Sequence, residues 1–246
     1  AILNVTPDHL DRYDGMDDYF AAKKRIFMNQ SDDDWFVYNM DSDMLMASRG
    51  EYPAHTRCFS IDNNEADAFL ANGHIYCAMK AIHFPVIMQE TIPILGIHNV
   101  QNVMASILMV VALHEKMGTS PHLDRIANAI RSFKGLEHRM EFAGEFMGRT
   151  FVNDSKATTI GAVQMAVLSM KDKGVLIIGG RTKGDDYSRL RSVVQDKARG
   201  IVLIGESSDM FAEIFSGMNF IKAVSMEDAV VKAMGMSHEG DMVLLS

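Results

Sequence analysis

From Glu141 to Ser246, short apolar runs alternate with amphipathic stretches, and this alternation constrains the fold more than any other feature of the chain. GVLIIGG from Gly174, GIVLIG from Gly200, FIKAVS from Phe220 and DMVLLS from Asp241 are largely apolar at consecutive positions. Between them lie DDYSRLRSVVQDKA, SDMFAEIFSG and MEDAVVKAMG. A strand without a polar face must be covered on both sides, as in a parallel sheet between helical layers. The pattern therefore predicts an α/β domain with a mostly parallel sheet. Ahead of it, MEFAGEF and RTFVND read as a hairpin turning at Met147-Gly148, and a helix follows from about Thr158 to Lys171. Ligands of such sheets bind beyond the carboxyl ends of the strands, so the loops there are expected to carry the site.

The first part is organised differently. AILNVT is a β-rich opening run. DDYFAAKKRIF, residues 17–27, reads as a helix with Tyr19, Lys23, Ile26 and Phe27 on one apolar stripe and Lys24 and Arg25 pointing elsewhere. DWFVYNM, HTRCFSI and GHIYCAM read as strands separated by polar turns such as DNNEAD and ANG. In GIHNVQNVMASILMVVALHEKMG, Val100, Val103, Met104, Ile107, Leu108 and Val111 recur at helical spacing up to a stop at Gly118, and PHLDRIANAIRSF gives a second helix. The pattern changes between Lys134 and Leu136, which predicts one domain over residues 1–134 and another over 135–246. A start within a strand-like run and a stop directly after another predict an interior stretch of a longer protein.

Composition excludes several classes. A formal charge of -8 and a pI near 5.6 argue against a general nucleic-acid surface. Two cysteines, Cys58 and Cys77, make no disulfide framework and no metal-type spacing, which fits a reducing, cytoplasmic compartment. No run of about 18 apolar residues and no secretory leader pattern is evident, so no membrane association is expected.

Four polar clusters have the chemistry for a site. NVTPDHLDRY brings Asp8, His9, Asp11 and Arg12 just after a strand, with Lys23 some way beyond. A salt-bridged loop and a lysine stem lying along apolar surface account for it; alternatively, a desolvated lysine can form a carbamate and join His9 at a Mg2+ ion. In HNVQN, Asn99 and Asn102 lie one turn apart, where Asn99 could cap the helix or the paired amides could read a purine edge. FVNDSKATT ends a strand in Asp154, Ser155, Lys156 and Thr158; hydroxyl capping explains part of it, while a lysine beside free helix N-H groups suits a phosphate or carboxylate. LIIGGRTKGDD places Lys183 on a glycine turn after a buried strand.

Taken in order, LNVTPDHLDRY, AAK, GIHNVQN, LEHRMEF, NDSKAT and GDMVLLS resemble the Mur ligase family of ATP-dependent amide-forming enzymes over nearly the whole chain. The branch they look most like adds D-glutamate to UDP-N-acetylmuramoyl-L-alanine. The resemblance implies part of a P-loop-type central ATPase domain followed by a Rossmann-like domain. It implies a carbamylated Lys23 with His9 at a Mg2+ ion, Asn99 and Asn102 by the adenine, Arg139 near the ATP phosphates and Asp154 at the ribose. It further implies Ser155, Lys156 and Thr158 near the phosphate and the incoming D-glutamate, and Lys183 at the D-glutamate carboxylate. One departure is Arg181, where relatives commonly carry an acid.

The cofactors implied are ATP and Mg2+, and the reaction runs through an acyl phosphate, in a protein expected to be a monomer. The 246 residues contain no G-x-x-x-x-G-K-[ST] loop, so this stretch alone is expected to be inactive. Another Mur-type ligase, a folylpolyglutamate synthase-like enzyme and a non-catalytic nucleotide-binding module are the alternative readings.

Overall fold

The computed structural model describes residues 1–7, 12–80, 82–181 and 186–246. The chain forms two compact units, one of residues 1–93 and 97–134, the other of residues 94–96 and 135–246.

The first unit is built on a five-stranded mixed sheet. Helix α1 (Met16–Lys24) precedes strand β1 (Trp35–Asn39) and helix α2 (Asp43–Ala47). Strands β2 (His55–Ser60), β3 (Ala68–Ala71), β4 (His74–Met79) and β5 (Ile82–Met88) come next, then helices α3 (Ile97–Lys116) and α4 (Leu123–Ser132). The sheet order is β1-β2-β3-β4-β5, parallel from β1 to β3 and antiparallel from β3 to β5. Asn72 and Gly73, both left-handed at φ 49 and 73, make the tight β3–β4 turn. The sequence reading passes over α2, β3 and β5. Pro85 sits within β5, which an edge strand tolerates because no neighbour needs its missing N-H.

The opening run contributes only a parallel bridge from Ile2 to Tyr38. Ile2, Phe20, Phe27, Phe36, Tyr38 and Leu45 form a core against β1. All six predicted inward residues of α3 are buried against the sheet, and Gly118 ends the helix at φ 65. Helix α3 is also long and apolar enough, by length and composition alone, to cross a membrane, although polar residues interrupt it and no run of about 18 apolar residues occurs in it. Over its apolar window 44% is buried, on the face that packs against the sheet.

The second unit follows the expected alternation. Strands β6 (Glu141–Phe146) and β7 (Arg149–Asn153) form the hairpin, with Met147 and Gly148 left-handed at its turn. Helix α5 (Ile160–Leu168), strand β8 (Gly174–Gly179), helix α6 (Leu190–Lys197) and strand β9 (Ala198–Ile204) follow. Helix α7 (Ser208–Ile214), strand β10 (Phe220–Ala223), helix α8 (Met226–Met236) and strand β11 (Met242–Leu245) complete the unit. The order is β10-β9-β8-β11-β7-β6, with only β6 antiparallel.

Successive residues of the apolar strands face opposite layers. Leu176 and Ile178 pack with α5, α6 and α7 residues such as Val163, Val194 and Phe211, whereas Val175 and Ile177 pack with Ala229 and Ala233 of α8. Because β11 inserts between β8 and β7, the carboxyl ends of these three strands lie side by side. The Asp154 amide donates to the Leu245 carbonyl and the Ser246 amide to that of Ile177.

Candidate functional site

On the second unit, the loop after β7 packs against the turn that precedes β6. The turn contains Gly135, His138 and Met140, all left-handed at φ 81, 65 and 46. A left-handed residue other than glycine costs about 1–2 kcal/mol, so the conformation needs outside support. Three bonds provide it. The Glu141 carboxylate accepts from the His138 amide at 2.8 Å, the Asp154 carboxylate accepts from the Met140 amide at 2.9 Å, and the His138 carbonyl accepts from the Lys156 amide at 3.1 Å.

The result joins Arg139, Asp154, Ser155 and Lys156 in one hydrogen-bonded structure. Arg139, Ser155 and Lys156 are exposed on it while Asp154 is buried. Burial pushes the Asp154 carboxyl above its usual range, against the Met140 amide and the nearby Arg139 charge, which pull it down. Glu141 and Asn153 complete the arrangement, and the sequence reading does not single them out. The signal was there in the motifs, as the acid two residues after H-R and the amide before D-S-K.

Thr158 is exposed and is not the helix cap; Thr159 is, accepting from the Ala162 amide at 3.2 Å. At the end of β8, Gly179 and Gly180 bring the chain close to the end of β9 and the loop that follows it. A side chain at Gly179 would place Cβ 1.7 Å from the Ile204 carbonyl oxygen. Ser207 donates to the Gly180 carbonyl at 2.8 Å. Arg181 reaches across to Glu206 of the neighbouring loop, with contacts of 3.0 and 3.2 Å. Both partners are largely exposed, and such a pair contributes about 0–1 kcal/mol. Lys183 lies outside the described residues.

On the first unit, Lys23 is half-buried with Nζ 4.8 Å above the Tyr19 ring. The expected stripe needs correction. The helix tightens into a 3-10 turn at Arg25–Phe27, which leaves Phe27 buried but Ile26 56% exposed. Lys24 lies off that stripe, with its Nζ 5.2 Å above the Phe20 ring and 2.8 Å from Glu51. His9 lies outside the described residues. Among the described residues no three His, Cys, Asp or Glu side chains come together to hold a metal ion.

Asn99 is not the cap of α3, since the helix begins at Ile97; Asn102 donates to its side-chain oxygen at 3.1 Å. Beside it, burial lowers the His98 pKa. The far end of α3 is anchored through Glu115, which meets Arg57 of β2, and Lys116, which meets Asp34 just ahead of β1. Helix α3 therefore runs opposite to β1. Its first turn lies about 25 Å from this anchor at about 1.5 Å per residue, toward the carboxyl ends of the parallel strands where ligands bind.

Comparison with known proteins accounts for both units. Residues 1–110 match the Mur ligase middle domain, and residues 138–246 match the Mur ligase glutamate ligase domain. The chain is 36% identical to the UDP-N-acetylmuramoylalanine--D-glutamate ligase of Chloroherpeton thalassium, covering 100% of this chain and 55% of that protein. It is also 36% identical to the protein of the same name from Acidobacterium capsulatum, covering 100% and 53%. The chain thus spans about half the length of the curated relatives it matches. Among solved structures, the MurF ligase from Thermotoga maritima in complex with ADP shares the fold at a TM-score of 0.73 and 17% identity, covering 99% of this chain and 57% of that one. A MurF from Acinetobacter baumannii aligns at 0.71 and 18%, covering 99% and 55%. With a middle domain followed by a glutamate ligase domain, each matched to its own unit, the chain belongs to the Mur ligase family.

Proposed function

We propose that the protein joins D-glutamate to UDP-N-acetylmuramoyl-L-alanine with cleavage of ATP, in the cytoplasm and as a monomer. The observation that carries this reading is the likeness to D-glutamate ligases across the whole chain, 36% identical in two relatives. The first unit serves as part of the central ATP-binding domain and the second as the amino-acid-binding domain.

A carboxylate oxygen of UDP-N-acetylmuramoyl-L-alanine attacks the γ-phosphorus, ADP departs and an acyl phosphate forms. The D-glutamate amine then attacks the acyl carbon, a proton leaves the nitrogen, and phosphate is expelled from the tetrahedral intermediate. Asn99 and Asn102 bind the adenine. Arg139, exposed on the turn before β6, and Lys156, exposed on the loop bonded to that turn, neutralise phosphate charge during transfer. Asp154 does two things, holding Met140 through one oxygen and taking a ribose hydroxyl on the other. Ser155, Thr158 and Lys183 hold the D-glutamate side. Mg2+, when bound, would supply further neutralisation of phosphate charge, and His9 and a carbamate on Lys23 are the residues that would hold it.

The test is phosphate release by the protein expressed from its complete gene, with UDP-N-acetylmuramoyl-L-alanine, MgATP and a panel of amino acids. Release that depends on D-glutamate and not on L-glutamate or meso-diaminopimelate is expected. Turnover with another amino acid in its place, or ATP binding with no release, would refute the reading.

A further inference from the structure

We propose that Glu141 and Asn153 are positioning residues: together they lock the turn that presents Arg139 and the loop that presents Lys156, and so set where the two cations meet the phosphates. This rests on the functional reading above, since the phosphates enter only through it.

Arg139 stands between two left-handed residues, His138 and Met140, so the direction of its side chain depends on a backbone form that neither neighbour adopts readily. Glu141 Oε2 is bonded twice, by the His138 amide at 2.8 Å and by Asn153 Nδ2 at 3.2 Å. Asn153 Nδ2 also lies 2.9 Å from His138 Nδ1, while Asn153 Oδ1 accepts from the Ser155 amide at 3.1 Å. The His138 carbonyl in turn accepts from the Lys156 amide. These bonds close a circuit through Glu141, His138, Lys156, Ser155 and Asn153.

Glu141 and Asn153 are direct partners in the β6–β7 ladder, so the circuit is rooted in the sheet and not in the loops it orders. One carboxylate and one amide therefore couple the turn of Arg139 to the loop of Lys156. Loss of either leaves only the Asp154–Met140 and His138–Lys156 bonds to hold the turn against the loop, which loosens the two cations, and displacement of a positioned group by about 1 Å can cost about a hundredfold in rate. Hydrogen bonds that only keep the strand ends from fraying would instead change stability and leave every kinetic constant alike.

The experiment uses the protein from its complete gene with Glu141→Ala, Asn153→Ala and Glu141→Gln, the last keeping an oxygen that can accept from His138. The alanine variants should raise the KM for ATP or lower kcat about tenfold or more, as expected for misplaced groups, with the KM for D-glutamate little changed. Glu141→Gln should recover much of the loss. Amide hydrogen exchange at His138 and Met140 should quicken in the alanine variants while the rest of the unit keeps its protection. Should one alanine variant fail to fold, the other carries the test. Unchanged ATP kinetics, or equal losses in all constants with lowered stability of the whole unit, would overturn the proposal. If the parent protein itself releases no phosphate, the functional reading falls, and the exchange rates at His138 and Met140 still decide whether the two residues hold the turn.

Discussion

Replacing Arg57 by methionine tests how the helix bearing the asparagine pair is held. Arg57 bonds Asp67 at 2.8 Å and Glu115 at 2.5 Å, and its own side chain is only 12% exposed. It also lies 5.3 Å from the Trp35 ring. Methionine keeps an apolar stem but removes two charge-assisted bonds, each worth about 1.5–3 kcal/mol, and leaves two carboxylates without their shared cation. Breaking a fully buried pair costs about 3–5 kcal/mol. Here Asp67 and Glu115 are 28 and 29% exposed, so water recovers part of the loss and we expect about 2–3 kcal/mol.

Urea unfolding followed by Trp35 fluorescence is the assay, because Trp35 is the chain's one tryptophan and touches the network. With a slope of about 2 kcal/mol per molar urea, the midpoint should fall by about 1–1.5 M. Glu115→Gln should weaken the same network, and the double variant should lose less than the sum of the two. A midpoint shift below about 0.3 M in Arg57→Met, at an unchanged slope, would show that apolar burial alone fixes α3.

The remaining predictions concern single sites. Lys23→Ala should abolish ligation by the protein from its complete gene while its unfolding midpoint stays close to the parent's; near-normal activity at low bicarbonate would exclude a carbamate there. Gly179→Ala should prevent the second unit from folding, since its Cβ would meet the Ile204 carbonyl oxygen at 1.7 Å; a normal circular dichroism spectrum and melting curve would contradict that. For Asp241, burial works against ionisation, but the Arg199 guanidinium and the His238 amide outweigh it and hold the carboxyl below 3.8. A depressed carboxyl stabilises the fold above its ordinary value and loses that effect as pH falls through the lower one. Asp241→Asn should therefore be less stable than the parent at pH 6, with the gap narrowing below about pH 4 in urea unfolding; a constant gap would refute the assignment.

Much of the second unit is legible along the chain. Its strands are buried on both faces, so continuous apolar runs such as GVLIIG name them directly, and Met147-Gly148 marks the hairpin turn. The first unit is less legible where local signals conflict. Pro85 disguises β5 as a loop, and the short strand β3 is named by its pairing with β2 and β4 more than by its own pattern. Lys23 reads as one member of an apolar stripe, yet the 3-10 turn at Arg25 rotates Ile26 out to solvent and leaves the Tyr19 ring as the lysine's neighbour.

By itself the sequence determined the α/β class, the parallel second sheet, the inward face of α3 and the motifs that identify the family, because each depends on residues near one another along the chain. Only the tertiary structure decided that β11 inserts between β8 and β7, that Glu206 pairs with Arg181, and that Glu141 and Asn153 tie the turn of Arg139 to the loop of Lys156. These pairings join residues 12 to 25 positions apart or bring in a strand from the end of the chain. Hydrogen bonds of a few ångströms are set by the sheet that closes such distances, and no periodicity of apolar residues encodes which side chains will meet once it has closed.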